Sequence, residues 1–269
     1  MKNIKSLLKK IFLRNQKIRL STSLSDNQIY PNFCLKASHD LKVFNDFRRN
    51  PIYNEILEHV STEHGKIYLD EISKNKNILK AIEKFKENDK WGNPRLVNFQ
   101  GVGDISLPTL RYVKVICDLE RLFGELNDIE ICEIGVGYGG QCRIINSVYK
   151  PTKYHLIDIK PALMLSQRYL DNYILNAVVE YKTMNELESR NYDLVLSNYA
   201  FTELPRAIQD VYLRKIILNS NKGYITYNEI TPDYFNSYTK DELVKIIPRS
   251  FVIDEVPLTH PKNCIIAWR

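Results

Sequence analysis

An apolar run from Ile129 to Ile134 stops at Gly135-Val136-Gly137-Tyr138-Gly139-Gly140, and a helix-forming stretch resumes near Gln141. Glycine lets a chain turn sharply and lets backbone approach a ligand closely. A strand, a glycine-rich turn and a helix in that order therefore make a ligand cradle at the edge of a parallel sheet. The rest of the chain supports such a sheet. Short apolar runs at Ile129–Ile134, Tyr154–Asp158, Ala177–Tyr181, Leu194–Ser197, Tyr224–Tyr227, Phe251–Val256 and Cys264–Trp268 alternate with helical stretches. The last two runs are joined only by Pro257 to Asn263, too short for a parallel crossover, so the final strand must reverse.

Upstream of the sheet the pattern is helical. Residues 1–20 place Ile4, Leu7, Leu8, Ile11 and Phe12 at helical spacing among lysines, which predicts a basic amphipathic helix. Such a helix can lie peripherally on an anionic membrane face or dock on its own protein. Residues 21–39 are polar, contain Pro31 and read as a linker. Asp40 to Asn88 is helical, with Glu63-His64-Gly65 as one of its short connections, and Trp91-Gly92-Asn93-Pro94 breaks the series. A further helix begins near Pro108 and ends at Gly124. The division predicted is a basic helix (1–20), a helical cap region (21–105) and a catalytic domain (106–269).

Charge and cysteine content exclude several classes. The net charge of +6 includes Lys2, Lys5, Lys9, Lys10, Arg14, Lys17 and Arg19, and without those seven the remaining residues carry −1. A folded body so nearly neutral speaks against nucleic acid as a partner. Cys34, Cys117, Cys132, Cys142 and Cys264 never fall at Cys-x-x-Cys spacing, so buried free thiols of a reduced compartment are expected. No segment has the roughly 18 apolar residues of a membrane span, nor does the amino terminus resemble a secretory signal, and a cytoplasmic location is expected.

Gly135, Gly137 and Gly140 also satisfy the spacing of a dinucleotide fingerprint, and Asp158 lies 23 residues beyond Gly135, near the offset of a ribose-binding acid. An NAD(P)-binding oxidoreductase is thus the rival reading. Three features favour an S-adenosyl-L-methionine-dependent methyltransferase. Glu133 lies in the strand where dinucleotide folds carry an apolar residue, and it can hold the ammonium group of the methionine moiety. The terminal hairpin is antiparallel. The one Tyr-x-x-x-Lys match, Tyr149 to Lys153, falls before the second strand, at the wrong end of the sheet for hydride transfer. The predicted fold is α/β, a Rossmann-like seven-stranded methyltransferase sheet with an antiparallel last strand and a helical N-terminal extension. Gly135, Gly137 and Gly139 form the cofactor turn. Asp158 either accepts the ribose hydroxyls or caps a helix. Ser197 and Asn198, past the fourth strand, either contact the amino acid part of the cofactor or form a turn.

From Trp91 to Arg269 the residues resemble a bacterial family of sugar O-methyltransferases often associated with surface-polysaccharide synthesis. The resemblance runs through Trp91-Gly92-Asn93-Pro94, Ile105 to Tyr112, the Glu133 to Gln141 turn, Ser197 to Pro205, and Pro257-Leu258-Thr259-His260 with Asn263 and Trp268. In that family proline usually follows the serine directly, whereas Leu107 intervenes here. The resemblance implies methylation of a hydroxyl on a sugar, nucleotide sugar or glycan. A neutral alcohol is a poor nucleophile, so a base or a divalent metal such as Mg²⁺ must assist, although no metal motif is present. His260 lies in the loop leaving the sixth strand, on the cofactor face, and imidazole titrates near neutrality; an exposed loop histidine is the alternative. Glu203 and Glu229 are the other candidate bases or metal ligands. Arg111 and Tyr112 can fold over the cofactor, Arg111 toward its carboxylate, or Arg111 can form a surface salt bridge. An RNA methyltransferase lacks support in the charge and in the residues after the fourth strand, and a non-catalytic binding module would not need these rim acids.

Overall fold

A computed structural model of the chain describes residues 28–269. The expected basic helix over residues 1–20 lies outside them. Among the described residues no helix is long and apolar enough to cross a membrane.

The chain forms a seven-stranded sheet with helices on both faces. Its strands are β3 (Glu130–Ile134), β4 (Lys153–Ile157), β5 (Val178–Lys182), β6 (Tyr192–Asn198), β7 (Ser220–Tyr227), β8 (Ser250–Asp254) and β9 (Cys264–Trp268). They follow a two-stranded hairpin of β1 (Leu96–Phe99) and β2 (Gly103–Ser106). The spatial order of the large sheet is β5-β4-β3-β6-β7-β9-β8. Pairs from β5 through β7 are parallel, and β9 runs antiparallel to both of its neighbours. The order reverses direction on either side of β3, and an open α/β sheet binds ligands beyond the carboxyl ends of its strands at that switch. Insertion of a reversed strand between β7 and β8 departs from the continuous parallel order of dinucleotide folds, as the short Pro257–Asn263 connection requires.

Alternation along the strands separates two cores. Ile131, Leu194, Leu196, Tyr154 and Leu156 face a cluster that includes α3 (Leu107–Phe123), α4 (Gly140–Asn146), α5 (Lys160–Leu170) and the cap. Cys132, Ile134, Val195, Ile225 and Ile266 face the other, with α6 (Arg206–Lys215) and α7 (Lys240–Ile246). The ends of α3 are where its sequence places them: Ser106 Oγ accepts from the Thr109 amide, and Gly124 ends the helix at φ 81°. Leu107 takes the first helical position and Pro108 the second, so the inserted leucine leaves the serine its capping role.

Two expectations fail in the cap. The linker predicted over residues 21–39 contains a helix, α1 (Ile29–His39), which buries Tyr30, Phe33, Cys34 and Ala37. That spacing is helical, and Pro31 falls in the first turn, where a missing N–H costs no intrahelical bond. Glu63-His64-Gly65 is not a connection but the start of α2 (Thr62–Ser73), capped by Ser61. Gly65 serves packing, since a Cβ there would stand 2.3 Å from a Leu107 methyl. The β1–β2 hairpin also stands where only an interruption was expected.

Arg48 joins the cap to the start of α3 and to the glycine turn. Its buried guanidinium donates to Glu58 (2.8 Å), Asp89 (3.0 Å), the Ser106 hydroxyl (2.9 Å) and the Asn88 carbonyl (3.2 Å). It also stands 4.8 Å from the centre of the Tyr138 ring. Asn88 donates to Tyr138 Oη and Thr109 Oγ1, both at 3.1 Å. The Ser106-to-Thr109 segment is thus a joint between cap, α3 and glycine turn. The cysteines form no disulfide; four are buried and Cys117 is half-buried.

Candidate functional site

β3 delivers Glu133 to the carboxyl rim, where the carboxyl is buried and accepts a hydrogen bond from Tyr154 Oη at 2.7 Å. No lysine, arginine or histidine pairs with it among the described residues. Burial pushes the carboxyl up to about 8, against the Tyr154 hydrogen bond and with repulsion from Asp158 adding to the rise. A buried carboxyl of this kind gains its charge when a cation arrives.

The turn after β3 depends on glycine. Gly135, Gly137 and Gly139 have φ of 77°, 54° and 84°, the left-handed region that side chains disfavour. A Cβ on Gly135 would stand 2.0 Å from that of Ala200, which places the start of the segment after β6 directly on the turn. Asp158, just beyond β4, accepts from the amides of Val136 (2.8 Å) and Gly137 (3.3 Å) through one oxygen and from Ile159 (2.7 Å) through the other. Its carboxylate therefore braces the glycine turn and the start of α5, at the position from which it could also meet a ribose.

Ser197, at the end of β6, donates to the Ile134 carbonyl and accepts from the Phe201 amide, each at 3.0 Å. It takes the turn-forming place. Asn198 Oδ1 accepts from Thr226 Oγ1 at 3.5 Å. Arg111, in the first turns of α3, is turned inward: Nη2 donates to the Leu57 carbonyl at 3.0 Å, and Nε is buried without a partner. Its guanidinium lies 5.7 Å from the Tyr112 ring centre and 5.9 Å from that of Tyr199. No carboxylate pairs with it among the described residues, so a surface salt bridge is not its role. Tyr112 is buried against Tyr138, and its hydroxyl feels the charges of both Arg111 and Glu133 after the larger effect of burial.

Among the described residues no hydrogen bond or ion pair joins the three expected catalytic residues to one another directly; Asn228 and Lys262 stand between them. Glu203 is half-buried, with burial raising its carboxyl and the Asn228 amide, 2.7 Å away, opposing that rise. Glu229 is exposed and ion-paired to Lys262 at 2.8 Å. His260 lies in the β8–β9 loop, its Nδ1 accepting a long bond from the Lys262 amide at 3.4 Å. Among the described residues no three His, Cys, Asp or Glu side chains converge as a metal site would need.

One polar cluster was absent from the sequence reading. Tyr199 leaves β6 at φ 68° and donates through its hydroxyl to Glu255, which is buried just past β8. Thr259 holds the same carboxylate through its amide (2.9 Å) and hydroxyl (2.8 Å), and Asn263 donates to the Thr259 hydroxyl at 2.9 Å. Thr259 and Asn263, two of the residues that carry the resemblance at the end of the chain, thus hold Glu255. The only sequence signal was that a threonine and an asparagine accompanied the histidine.

No family model matches the chain, and no curated protein sequence matches it. Solved structures do resemble it in part. One is named as a sarcosine dimethylglycine methyltransferase from Galdieria sulphuraria, 17% identical over 54% of this chain and 65% of that one, with a TM-score of 0.42. A second, named as the RNA methyltransferase PH1948 from Pyrococcus horikoshii, is 15% identical over 60% and 81%, with a TM-score of 0.40. A third is the CurJ carbon methyltransferase, 12% identical over 59% and 52%, with a TM-score of 0.40. The matched part spans under two thirds of the first and third of these proteins.

Proposed function

We propose that the chain is an S-adenosyl-L-methionine-dependent methyltransferase that methylates a hydroxyl of a sugar, nucleotide sugar or glycan. The observation that carries this reading is a buried carboxyl, Glu133, and a half-buried guanidinium, Arg111, near the glycine turn, neither of which has a partner of opposite charge among the described residues. Among the described residues Glu133 meets no cation, and Arg111 donates to a backbone carbonyl and keeps an unpartnered Nε. A zwitterionic amino acid moiety satisfies both. Burial keeps the Glu133 carboxyl largely protonated near neutrality; a ligand ammonium would favour its charged form, and a ligand carboxylate would take the open donor of Arg111. Glu133 would hold the ammonium, Arg111 the carboxylate, the turn of Gly135, Gly137 and Gly139 would admit the body of the ligand, and Asp158 would meet its ribose. The bound donor supplies a sulfonium methyl. The chain's task is then to position a hydroxyl and remove its proton. A nicotinamide dinucleotide has no ammonium–carboxylate pair for Glu133 and Arg111. The sugar rests on the family resemblance of the terminal segments, and a role in surface-polysaccharide synthesis follows from the same resemblance.

Calorimetric titration of the full chain with S-adenosylhomocysteine and, separately, NAD⁺ tests the donor assignment. Saturable binding of the first and none of the second is the expected result; the reverse would overturn it. Radiolabelled methyl transfer to UDP-glucose, GDP-mannose and dTDP-rhamnose, with Mg²⁺ or chelator, tests the acceptor class.

A further inference from the structure

The acceptor side of the rim holds a buried carboxylate whose position nothing in the donor site explains. Glu255 lies just past the carboxyl end of β8, and Asp158 just past β4 on the other side of the switch at β3. A donor whose ribose meets Asp158 and whose amino acid end meets Glu133 and Arg111 leaves the β6–β8 half for the acceptor. Tyr199 bridges that half. Its successor, Ala200, packs on Gly135, its ring lies under the Arg111 guanidinium, and its hydroxyl reaches Glu255. For a bulky aromatic residue the positive φ of Tyr199 is a strained conformation, and such strain persists where the surroundings enforce it. Glu255 is 6% exposed, and no lysine, arginine or histidine pairs with it among the described residues. Its fixed donors are the Tyr199 hydroxyl and Thr259.

We infer that Tyr199 and Glu255 take the proton from the acceptor hydroxyl, with Tyr199 as the catalytic group that touches it and Glu255 and Thr259 as positioning residues behind. This rests on the methyl-transfer reading above. The hydroxyl oxygen bonds to the methyl carbon as the carbon–sulfur bond breaks and its electron pair stays on sulfur. The hydroxyl proton passes to Tyr199 Oη while the Tyr199 proton passes to Glu255. One positive charge on sulfur and one negative charge on Glu255 vanish together, which favours the transfer in a site sheltered from water. Burial, and then the Glu255 charge, hold the Tyr199 phenol well above its ordinary value, so it acts as a relay and not as a standing phenolate.

The test compares the full chain with Tyr199→Phe and Glu255→Gln in three measurements. S-adenosylhomocysteine affinity by calorimetry should stay within about twofold, because Tyr199→Phe keeps the ring beside Arg111 and loses only the hydroxyl, and the hydrogen bonds of Glu255 come from Tyr199 and Thr259 alone among the described residues. The ¹³Cζ resonance of Tyr199, identified by its loss in Tyr199→Phe, should move in Glu255→Gln. Methyl transfer to the three nucleotide sugars should fall roughly 10²-fold or more in both variants, the usual range for loss of a positioned proton acceptor. Near-normal transfer by either variant, or an unmoved Tyr199 resonance, would overturn the inference. So would donor binding by the unaltered chain without transfer to any of the three. Failure of the unaltered chain to bind S-adenosylhomocysteine would instead overturn the methyltransferase reading, and the inference with it.

Discussion

On one half of the rim the polar groups come from nearly consecutive residues, Glu133 through Gly139, braced by one carboxylate from the next strand. On the other half they come from Tyr199, Glu255, Thr259 and Asn263, which only the closed sheet brings together. The first half is made by backbone: left-handed glycines, amides turned toward Asp158, and a strand end. The second is made by side chains held through other side chains. A backbone site leaves its pattern in residue spacing, whereas a side-chain site leaves almost none. The halves should therefore fail differently when altered, and the cap, which meets the glycine turn through Arg48 and Asn88, should matter to stability before it matters to either.

The largest effect expected is at that joint. Arg48→Ala would leave Glu58 and Asp89 buried without their cation, and breaking a buried pair in this way typically costs about 3–5 kcal/mol. Urea unfolding of the variant should show a loss of this size. A loss below about 1 kcal/mol would mean that the cap rests on the sheet through its apolar contacts alone. Cap and donor turn would then be independent regions.

Next comes the backbone half itself. Gly137→Val places a β-branched residue at φ 54° and puts its Cβ 3.1 Å from a Leu57 methyl. S-adenosylhomocysteine affinity should fall roughly 10²-fold while the chain stays folded, since the conformational strain alone costs about 1–2 kcal/mol. Asp158→Ala should weaken the same affinity by freeing the Val136 and Gly137 amides. Unchanged affinity in both variants would remove the turn from the donor site.

How much of this the sequence disclosed follows from the same contrast. All seven strands of the large sheet, the reversal of the last one and both ends of α3 are legible, because apolar period, glycine and capping residues are local signals. The place of β9 between β7 and β8 is not, since no local pattern records which strands become neighbours. α1 was hidden by Pro31, whose helix-breaking reputation does not hold in a first turn. The hairpin was hidden because Asn98, Gly103 and Asp104 interrupt its alternation, and of β1 only Phe99 is buried. Tyr199 is one of 17 tyrosines with nothing in its neighbours to mark a strained φ. Glu255 is a single acid after a strand. Arg111 was legible only through resemblance, and its inward turn toward Leu57 had to come from the structure.

A smaller effect should appear in the pH dependence of donor binding. The folded Glu133 carboxyl titrates at about 8, raised by burial, so below that pH it is mostly protonated and must lose its proton to receive an ammonium. S-adenosylhomocysteine affinity should therefore rise with pH between about 5 and 7, by at most tenfold per unit, or about 1.4 kcal/mol. Binding should release a proton, seen as a buffer-dependent calorimetric enthalpy. In Glu133→Gln both signals should vanish. The sign for stability is opposite: a raised carboxyl favours the folded chain when protonated, so its contribution declines as pH climbs from about 4.5 toward about 8. A pH-independent affinity in the unaltered chain would place the ammonium elsewhere and erase the charge pair on which the donor half rests.

The smallest effect belongs to His260. Its loop follows β8 and opens on the rim, and the resemblance adds the Pro-x-Thr-His context, which together make it a candidate base beside the alternative of an exposed loop histidine. Yet the imidazole makes only a long hydrogen bond to the Lys262 amide two residues on, and no carboxylate or hydroxyl orients it among the described hydrogen bonds. A base needs a fixed direction toward the proton it removes. Glu255, five residues earlier, has that fixation from Thr259 and Tyr199. If the relay through Tyr199 operates, His260→Ala should lower methyl transfer less than about threefold, against roughly 10²-fold for Tyr199→Phe. S-adenosylhomocysteine affinity should not change. Should His260→Ala instead cost roughly 10²-fold while Tyr199→Phe is mild, the proton goes to the imidazole, and Thr259 and Asn263 hold the loop for its sake.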